Sequence, residues 1–600
     1  MSILPPFRTS DESFMRAVFI LAIIACAALL PSPLQANDRM AGGTHATTFR
    51  PTFHFSGLGS PDFAKLEGLG TIAPSDEDSF GLNIWQGSDA QDIRTFVSAL
   101  PDKHSNPVFF DMQRRILLGE TSIASMHRYK DPAPGNDLFT LRIQKLIDMG
   151  LFADAAALYK KVYEEPYHHT LAQTGITALV LNSENALACL EAQSLPTKAK
   201  TSAFAQKLNI FCDRTYPHAG HDNGAKKDDT DENSANGATK EQENKQDNKA
   251  EQENIPSFAT PLQQAFDDET YMFKPGTPDD LSALAQIDLA LLMTMDRLDF
   301  SHIAPDIDRP FLISLGLRSK TVTDQDRLAL MVAATRIGLR TPAQLGTFYA
   351  KARVNDPYVT LYKTLSDNPK DSAHYDDYAP LLAQAQKDDA LVRFLPLATF
   401  LPHVPVSTLI QFKDDSLEKL VFQVAKQNQI SFTEKWWDSF FKLYNDQIDD
   451  KAITNAVLSY IFSIEHSSEK TNYILRKIKV QDDIAKKLFH TKTSYYEKLD
   501  TAPDFVNSDA NKNYENPEGL TSAYDYVMHV DGAQNRLKRT IENRELGKVV
   551  LLSCIAFRDI PATEINAGSL WEAAKVFHDV GLINAAGLVV REALLAEKSK

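Results

Sequence analysis

Carboxylates, histidines and cysteines are the side chains through which this chain could do chemistry, and their spacing argues for little of it. Asp371 stands near Asp376 and Asp377, and Asp414 is followed by Asp415. Acid–base or glycoside chemistry needs two carboxylates in one cleft, one of them with a raised pKa. A chain with 79 acidic and 63 basic residues produces such neighbours by composition alone, and at helix starts they complement the dipole. His168 and His169 follow Pro166-Tyr167 at the start of a helical segment. Adjacent helical residues project about 100° apart, so the pair is expected to cap the helix or face solvent, not to share a metal. His218 and His221 border a polar run and make a weak chelating pair.

Cys189 and Cys212 fall in neighbouring helical segments. In an oxidising compartment they would staple a helical hairpin, and the alternative is two buried thiols. Cys554, within Val549-Val550-Leu551-Leu552-Ser553-Cys554-Ile555, reads as inert packing. The sequence holds no His-Glu-x-x-His, no Gly-x-x-x-x-Gly-Lys and no Gly-x-Ser-x-Gly. Gly57-Leu58-Gly59 and Gly68-Leu69-Gly70 lack a strand-turn-helix setting and read as turns. We therefore assign no catalytic, cofactor-binding or metal-ligating residue, and expect no cofactor.

The elements that would position any such group begin after an export signal. Arg16 precedes an apolar run from Ala17 to Leu30, then Pro31, Pro33 and Leu34-Gln35-Ala36. The run is short for a bilayer span and has the zones of a secretory signal, with Met1 or Met15 as the start and cleavage after Ala36. Ile23-Ile24-Ala25-Cys26 resembles a lipobox, so a lipid anchor on Cys26 is the alternative. No further apolar run is long enough to cross a membrane. The expected location is the periplasm or the exterior, with no integral membrane domain after signal removal. The formal net charge of −16 would repel a phosphate backbone and argues against nucleic acid as a partner.

Residues 37–73 show little periodicity and read as an extended or disordered lead-in. An N-terminal helical region follows over 74–216. Within it Trp85 is expected to fill a core, and Phe109, Phe110, Met112, Ile116 and Leu117 line one face of a helix. Residues 138–163 form an αα-hairpin, with Gly150 in the left-handed position that ends a helix. Residues 217–255 are polar and without apolar periodicity. Between His221 and Asn254 there are ten acidic and five basic side chains, and such a segment is expected to be a disordered linker or insertion. A C-terminal helical solenoid is expected over 256–600. Thr341 is a credible N-cap with Pro342 in the first turn. Helix-Gly-Leu-helix joints recur at Gly150, Gly338 and Gly581. Trp436, Trp437, Phe440, Phe441 and Tyr444 make a wide aromatic face, which packs between helices or lines a partner groove. The fold class read from this pattern is all-α, an irregular αα-hairpin solenoid with a disordered polar insertion.

The segments Leu82-Asn83-Ile84-Trp85-Gln86-Gly87 and Arg114-Arg115-Ile116-Leu117-Leu118, the hairpin 138–163 and the pair ending Gly581-Leu582 to Leu595 resemble a family of exported alphaproteobacterial helical proteins of unknown function. That family has sometimes been labelled an antifreeze glycopeptide polyprotein. This chain has no repeated Ala-Ala-Thr tracts, the triplet occurring once at Ala333-Ala334-Thr335, and ice binding is not implied. The polar insertion at 217–255 and the Lys/Asn-rich stretch 465–515 depart from the family's Ala/Leu-rich pattern. The hairpins also look like the tetratricopeptide-type superhelix of soluble lytic transglycosylases, without the Glu-Ser start and Gly-Leu-Met-Gln run of their catalytic domain.

The leading expectation is a non-catalytic scaffold or adaptor that binds a protein or an envelope component on a helical surface. A cell-wall or polysaccharide-acting enzyme with an unrecognised carboxylate site is the alternative, marked by a cleft holding two carboxylates, one desolvated. A purely structural envelope protein is the third.

Overall fold

The computed structural model describes residues 63–216 and 260–410 with short breaks, residues 430–443 and 545–556, and single positions between 420 and 589. The expected signal at 1–36, the polar run at 217–255, the stretch 465–515 apart from Ile474, Asp371, Asp414-Asp415, Tyr444 and the joint at Gly581 lie outside the described residues. The protein is all-α, and among the described residues no strand forms.

In the first part of the chain the main helices are α1 (Phe63–Gly68), α2 (Ala90–Ala99), α3 (Pro107–Leu118), α4 (Leu138–Asp148), α5 (Phe152–Tyr159), α6 (His169–Leu181), α7 (Asn185–Ser194) and α8 (Ala203–Thr215), with a single turn at Thr197–Lys200. Beyond the insertion come α9 (Thr260–Asp267), α10 (Pro278–Ser282), α11 (Gln286–Thr294), α12 (Pro310–Arg318), α13 (Asp324–Arg336), α14 (Pro342–Lys351), α15 (Pro357–Asp367), α16 (Tyr378–Lys387), α17 (Glu434–Leu443) and α18 (Leu546–Ala556).

The joint between α4 and α5 shows why these elements end where they do. Gly150 has φ +72, so the Gly150 amide reaches Ile147 O and the Leu151 amide reaches Leu146 O, each at 2.8 Å. Two carbonyls left over at the helix end are thereby satisfied. A Cβ at Gly150 would lie 2.4 Å from Pro310 O, because the start of α12 packs there. The same turn recurs without glycine. Ser183, at φ 64, joins α6 to α7, and Asp296, at φ 57, follows α11. Gly338 ends α13 as expected, and Thr341 caps α14 in a reciprocal box with Gln344.

From α4 to α8 successive helices pack on one another as hairpins. Cys189 on α7 and Cys212 on α8 are joined by a disulfide, so the staple expected from the sequence is present. Other contacts link distant parts of the chain. α11 packs on α6, and α18 packs on both α2 and α3, which a stack of nearest neighbours would not do. The α18 contact is close: the Gly547 amide donates to Ile84 O at 2.8 Å. A Cβ on Gly547 would meet the Trp85 ring at 2.2 Å. Trp85 is a core residue, 1% exposed, and the segment 82–87 is a packed turn against which α18 lies. Cys554 on α18 is a buried free thiol whose Sγ faces Phe109 O at 3.8 Å. Burial pushes that thiol well above its ordinary pKa, which agrees with inert packing.

Two hydrophobic cores result. The first gathers residues from Leu66 to Leu339 together with Val549, Val550, Leu551, Cys554 and Val589. The second runs from Leu328 to Ile474. α13 serves both: Leu330 and Ala334 face the first, while Leu328 and Met331 face the second. The aromatic face of α17 lies inside the second core. Trp437 and Phe441 are 0% exposed, and Phe432 stacks on Trp436 with centroids 3.9 Å apart. Packing, not a partner groove, occupies these rings.

The lead-in differs from its expectation over its described part. α1 is a helix, and Leu66 and Glu67 on it are both 0% exposed. Apolar periodicity does not announce it, because one of the side chains it buries is the carboxylate of Glu67.

Candidate functional site

The groups best able to do chemistry gather at the two ends of α4. Glu67 is at the centre of the N-terminal end. Its carboxylate forms a bidentate pair with Arg94, Oε1 to Nε at 2.8 Å and Oε2 to Nη2 at 2.9 Å. Oε1 also accepts the Leu138 amide at 2.6 Å, one of the amides that a helix start leaves without a partner. Arg94 continues to Lys130 O at 3.1 Å and lies over the Tyr129 ring, 5.3 Å from its centroid. Burial disfavours the charge on Arg94, yet its hydrogen bond and proximity to Glu67 raise its pKa overall. Burial, and then the Glu67 charge, push the Tyr129 hydroxyl well above its ordinary range.

Asp137 is the N-cap of α4 and is 0% exposed. It accepts from the Thr140 amide at 2.7 Å, from Thr140 Oγ1 at 2.8 Å and from His168 Nε2 at 2.8 Å. His168 Nδ1 in turn accepts the Leu171 amide at 3.2 Å and caps α6. That acceptor role places the ring proton on Nε2. Burial alone would raise the Asp137 carboxyl, but the His168 and Thr140 hydrogen bonds outweigh it and hold it below the carboxylate range. His168 therefore has the capping role its position suggested, while His169 is exposed. A His–Asp pair of this kind orients a base in many enzymes. Here both imidazole nitrogens are engaged in holding helix starts.

Arg142, on the same helix, is a cation that among the described residues has no carboxylate in an ion pair with it. Its guanidinium donates to Leu117 O at 2.5 Å, Leu69 O at 2.7 Å, Gly119 O at 2.8 Å and Glu67 O at 3.3 Å. It ties the carbonyl ends of α1 and α3 together. Burial pushes the guanidinium down to about 9, still protonated at neutral pH.

The C-terminal end of α4 opens on a cleft of about 330 Å³, within the size range of small-molecule sites. Leu281, Leu284, Leu289, Phe311 and Leu312 give it an apolar floor. Asp102, Lys103, Asp148, Ser282, Gln286 and Arg309 give it a polar rim. Two of the nearby cations already have anions. Lys145 Nζ lies 3.0 Å from Asp102 Oδ1 and donates to Leu100 O at 2.7 Å. Lys103 Nζ lies 2.6 Å from Asp308 Oδ2.

Asp148 and Arg309 are held differently. Asp148 Oδ1 accepts from the neutral amides Gln144 Nε2 at 2.9 Å and Gln286 Nε2 at 2.7 Å. Gln144 Nε2 also reaches Gln286 Oε1 at 2.9 Å. Arg309 donates to the Ser282 hydroxyl. Among the described residues neither is in an ion pair. Burial pushes the Asp148 carboxyl above its ordinary value. The Gln144 bond and the Lys145 charge oppose that rise, and Asp102 adds to it.

Sequence reasoning assigned no site residue, so Asp102, Asp148, Gln286 and Arg309 are additions. Asp148 is the last residue of its helix, and its partner Gln286 is 138 residues away. Nothing local marks the pair. Asp376 and Asp377, singled out by adjacency, are both exposed. Among the described residues no group of three or more His, Cys, Asp or Glu side chains is placed to hold a metal ion. No described helix is long and apolar enough to cross a membrane.

The fold and these two sites define an all-α protein with a mixed-charge cleft. No family model, curated protein or solved structure matches the chain.

Proposed function

We propose that this is an exported, non-catalytic helical binding protein of the cell envelope, a scaffold or adaptor that engages a protein or peptidoglycan component through the cleft at the end of α4. One observation carries the reading: a cleft with apolar lining also holds Asp148, oriented by two neutral amides, and Arg309, oriented by a hydroxyl. Such a floor supplies burial, and the few polar groups fix orientation. The export signal expected from the sequence at 1–36, the disulfide and the resemblance to exported helical proteins support the envelope as its place. The chain lacking its first 36 residues, used as bait in envelope extracts, is expected to recover one partner in stoichiometric amount. A repeated blank contradicts the reading.

A second reading is favoured by the same cleft. Asp148, with its pKa raised by burial, shares the rim with Asp102, and an acid poised in this way could protonate a leaving group. Release of soluble fragments from peptidoglycan or polysaccharide, lost in both Asp148→Asn and Asp102→Asn, would establish the enzyme. Release that is absent, or unchanged in those variants, leaves the binding protein.

A further inference from the structure

We propose that the cleft binds a zwitterion carrying a free ammonium and a free carboxylate, as an amino acid or short peptide does, with the ammonium at Asp148 and the carboxylate at Arg309. The assignment deepens the binding-protein reading and rests on it.

The neighbouring charges are already matched. Lys145 is matched by Asp102, and Lys103 by Asp308. Asp148 and Arg309 line the same cavity and have only neutral partners among the described residues. A carboxylate bound through one oxygen to two amides keeps its second oxygen for another donor. A guanidinium has five N–H groups in a planar fork, and a hydroxyl occupies one of them. The cleft therefore offers one acceptor of negative charge and one donor of positive charge on a single rim.

A ligand of one sign would satisfy one of these and meet the other as a repulsive neighbour. A ligand with both signs satisfies both. Asp148 is half-buried and Arg309 is exposed, and each is oriented by hydrogen bonds; ionised groups form charge-assisted hydrogen bonds, which are stronger than neutral ones. The apolar floor adds a requirement for an aliphatic or aromatic side chain between or beside the charges. A neutral sugar fits these observations less well, since it would leave both charges unmatched.

Two sources carry this chemistry, a free amino acid and the paired ends of a short peptide. Their charges differ in separation, so a length series distinguishes them. The test is isothermal titration of the full mature chain with L-leucine, L-leucyl-L-leucine and L-leucyl-L-leucyl-L-leucine, each also as its N-acetyl and its C-amide form. One length is expected to bind with a Kd below about 1 mM. Blocking either end of that ligand is expected to weaken it about tenfold or more. Asp148→Asn should remove the preference for the free ammonium, and Arg309→Gln the preference for the free carboxylate. Each variant should keep the wild-type circular dichroism.

The length that binds names the source. Failure of all three lengths to bind by about 1 mM to folded protein overturns the proposal. So does a ligand that binds equally well with an end blocked. If wild type binds no zwitterion yet still recovers its envelope partner, the ligand assignment fails and the binding-protein reading stands. If a zwitterion binds and no partner is recovered, the site is correct and the adaptor role fails.

Discussion

The two ends of α4 lie on one helix and handle charge in opposite ways. At the N-terminal end each buried acid has a counterpart: Glu67 with Arg94, Asp137 with His168 and Thr140. At the C-terminal end Asp148 rests on neutral amides, and Arg309 faces the same cleft without a carboxylate. Burial is severe at the first end and partial at the second. A charge taken fully out of water must be paired, or saturated with hydrogen bonds as Arg142 is by backbone carbonyls, to be tolerated. A charge on a cleft rim can wait for its partner. The comparison teaches that a buried, perturbed acid is a structural tie where its lone pairs are filled, and a binding group where they are not.

The largest effect should come from breaking the first end. Glu67→Ala strands Arg94 in the interior and leaves the Leu138 amide without its acceptor. A loss of about 3–5 kcal/mol is expected in urea unfolding. A loss under about 1 kcal/mol would mean that water reaches Arg94 and that this end is not closed.

Asp137→Asn is next, at about 2–3 kcal/mol. The asparagine can still accept the Thr140 amide, but its NH2 confronts the His168 proton. The wild-type carboxyl has a lowered folded pKa, so its contribution is complete above the unfolded carboxylate pKa and is lost as pH falls through the folded value. The stability difference between wild type and variant should therefore shrink below about pH 4, measured by urea unfolding across pH.

Gly547→Ala tests packing away from both ends of α4. The new methyl group has no room against Trp85, and overpacking of this kind costs about 1–3 kcal/mol. If α18 instead shifts without cost, thermal melts of the variant and wild type will coincide.

The smallest effect belongs to Asp148→Asn. An asparagine Oδ1 can accept both glutamine amides, and the variant removes a carboxylate that burial disfavours. Stability at neutral pH should change by less than about 1 kcal/mol. The sign of the pH dependence reverses relative to Asp137. The folded pKa of Asp148 is raised by burial and by Asp102, with Lys145 opposing. The folded state thus takes up the proton more readily, and wild type should gain on the variant as pH falls through that raised value.

Much of the scaffold was legible from local chemistry. Gly150 and Gly338 mark helix ends because their left-handed backbone is costly for other residues. Thr341-Pro342 reads as a helix start, and Cys189 and Cys212 sit one hairpin apart. Ser183 and Asp296 adopt the same left-handed turn, but a serine or aspartate does not advertise it. The helix α1 was missed because its buried face carries Glu67, whose partners Arg94 and Leu138 lie 27 and 71 residues away. The cleft was illegible for the same reason on a larger scale, since its rim comes from residues near 102, 148, 282 and 309. Residue types can show that a carboxylate is present. Only the fold shows whether its partner has been supplied.

The most direct test measures stability and zwitterion binding in parallel on Asp137→Asn and Asp148→Asn, at a temperature where both are folded. The account predicts a crossed result: Asp137→Asn is destabilised and binds with wild-type affinity, whereas Asp148→Asn is as stable as wild type and loses affinity about tenfold or more. If Asp148→Asn unfolds as readily as Asp137→Asn and neither alters binding, both ends of α4 are structural and the distinction between them is wrong.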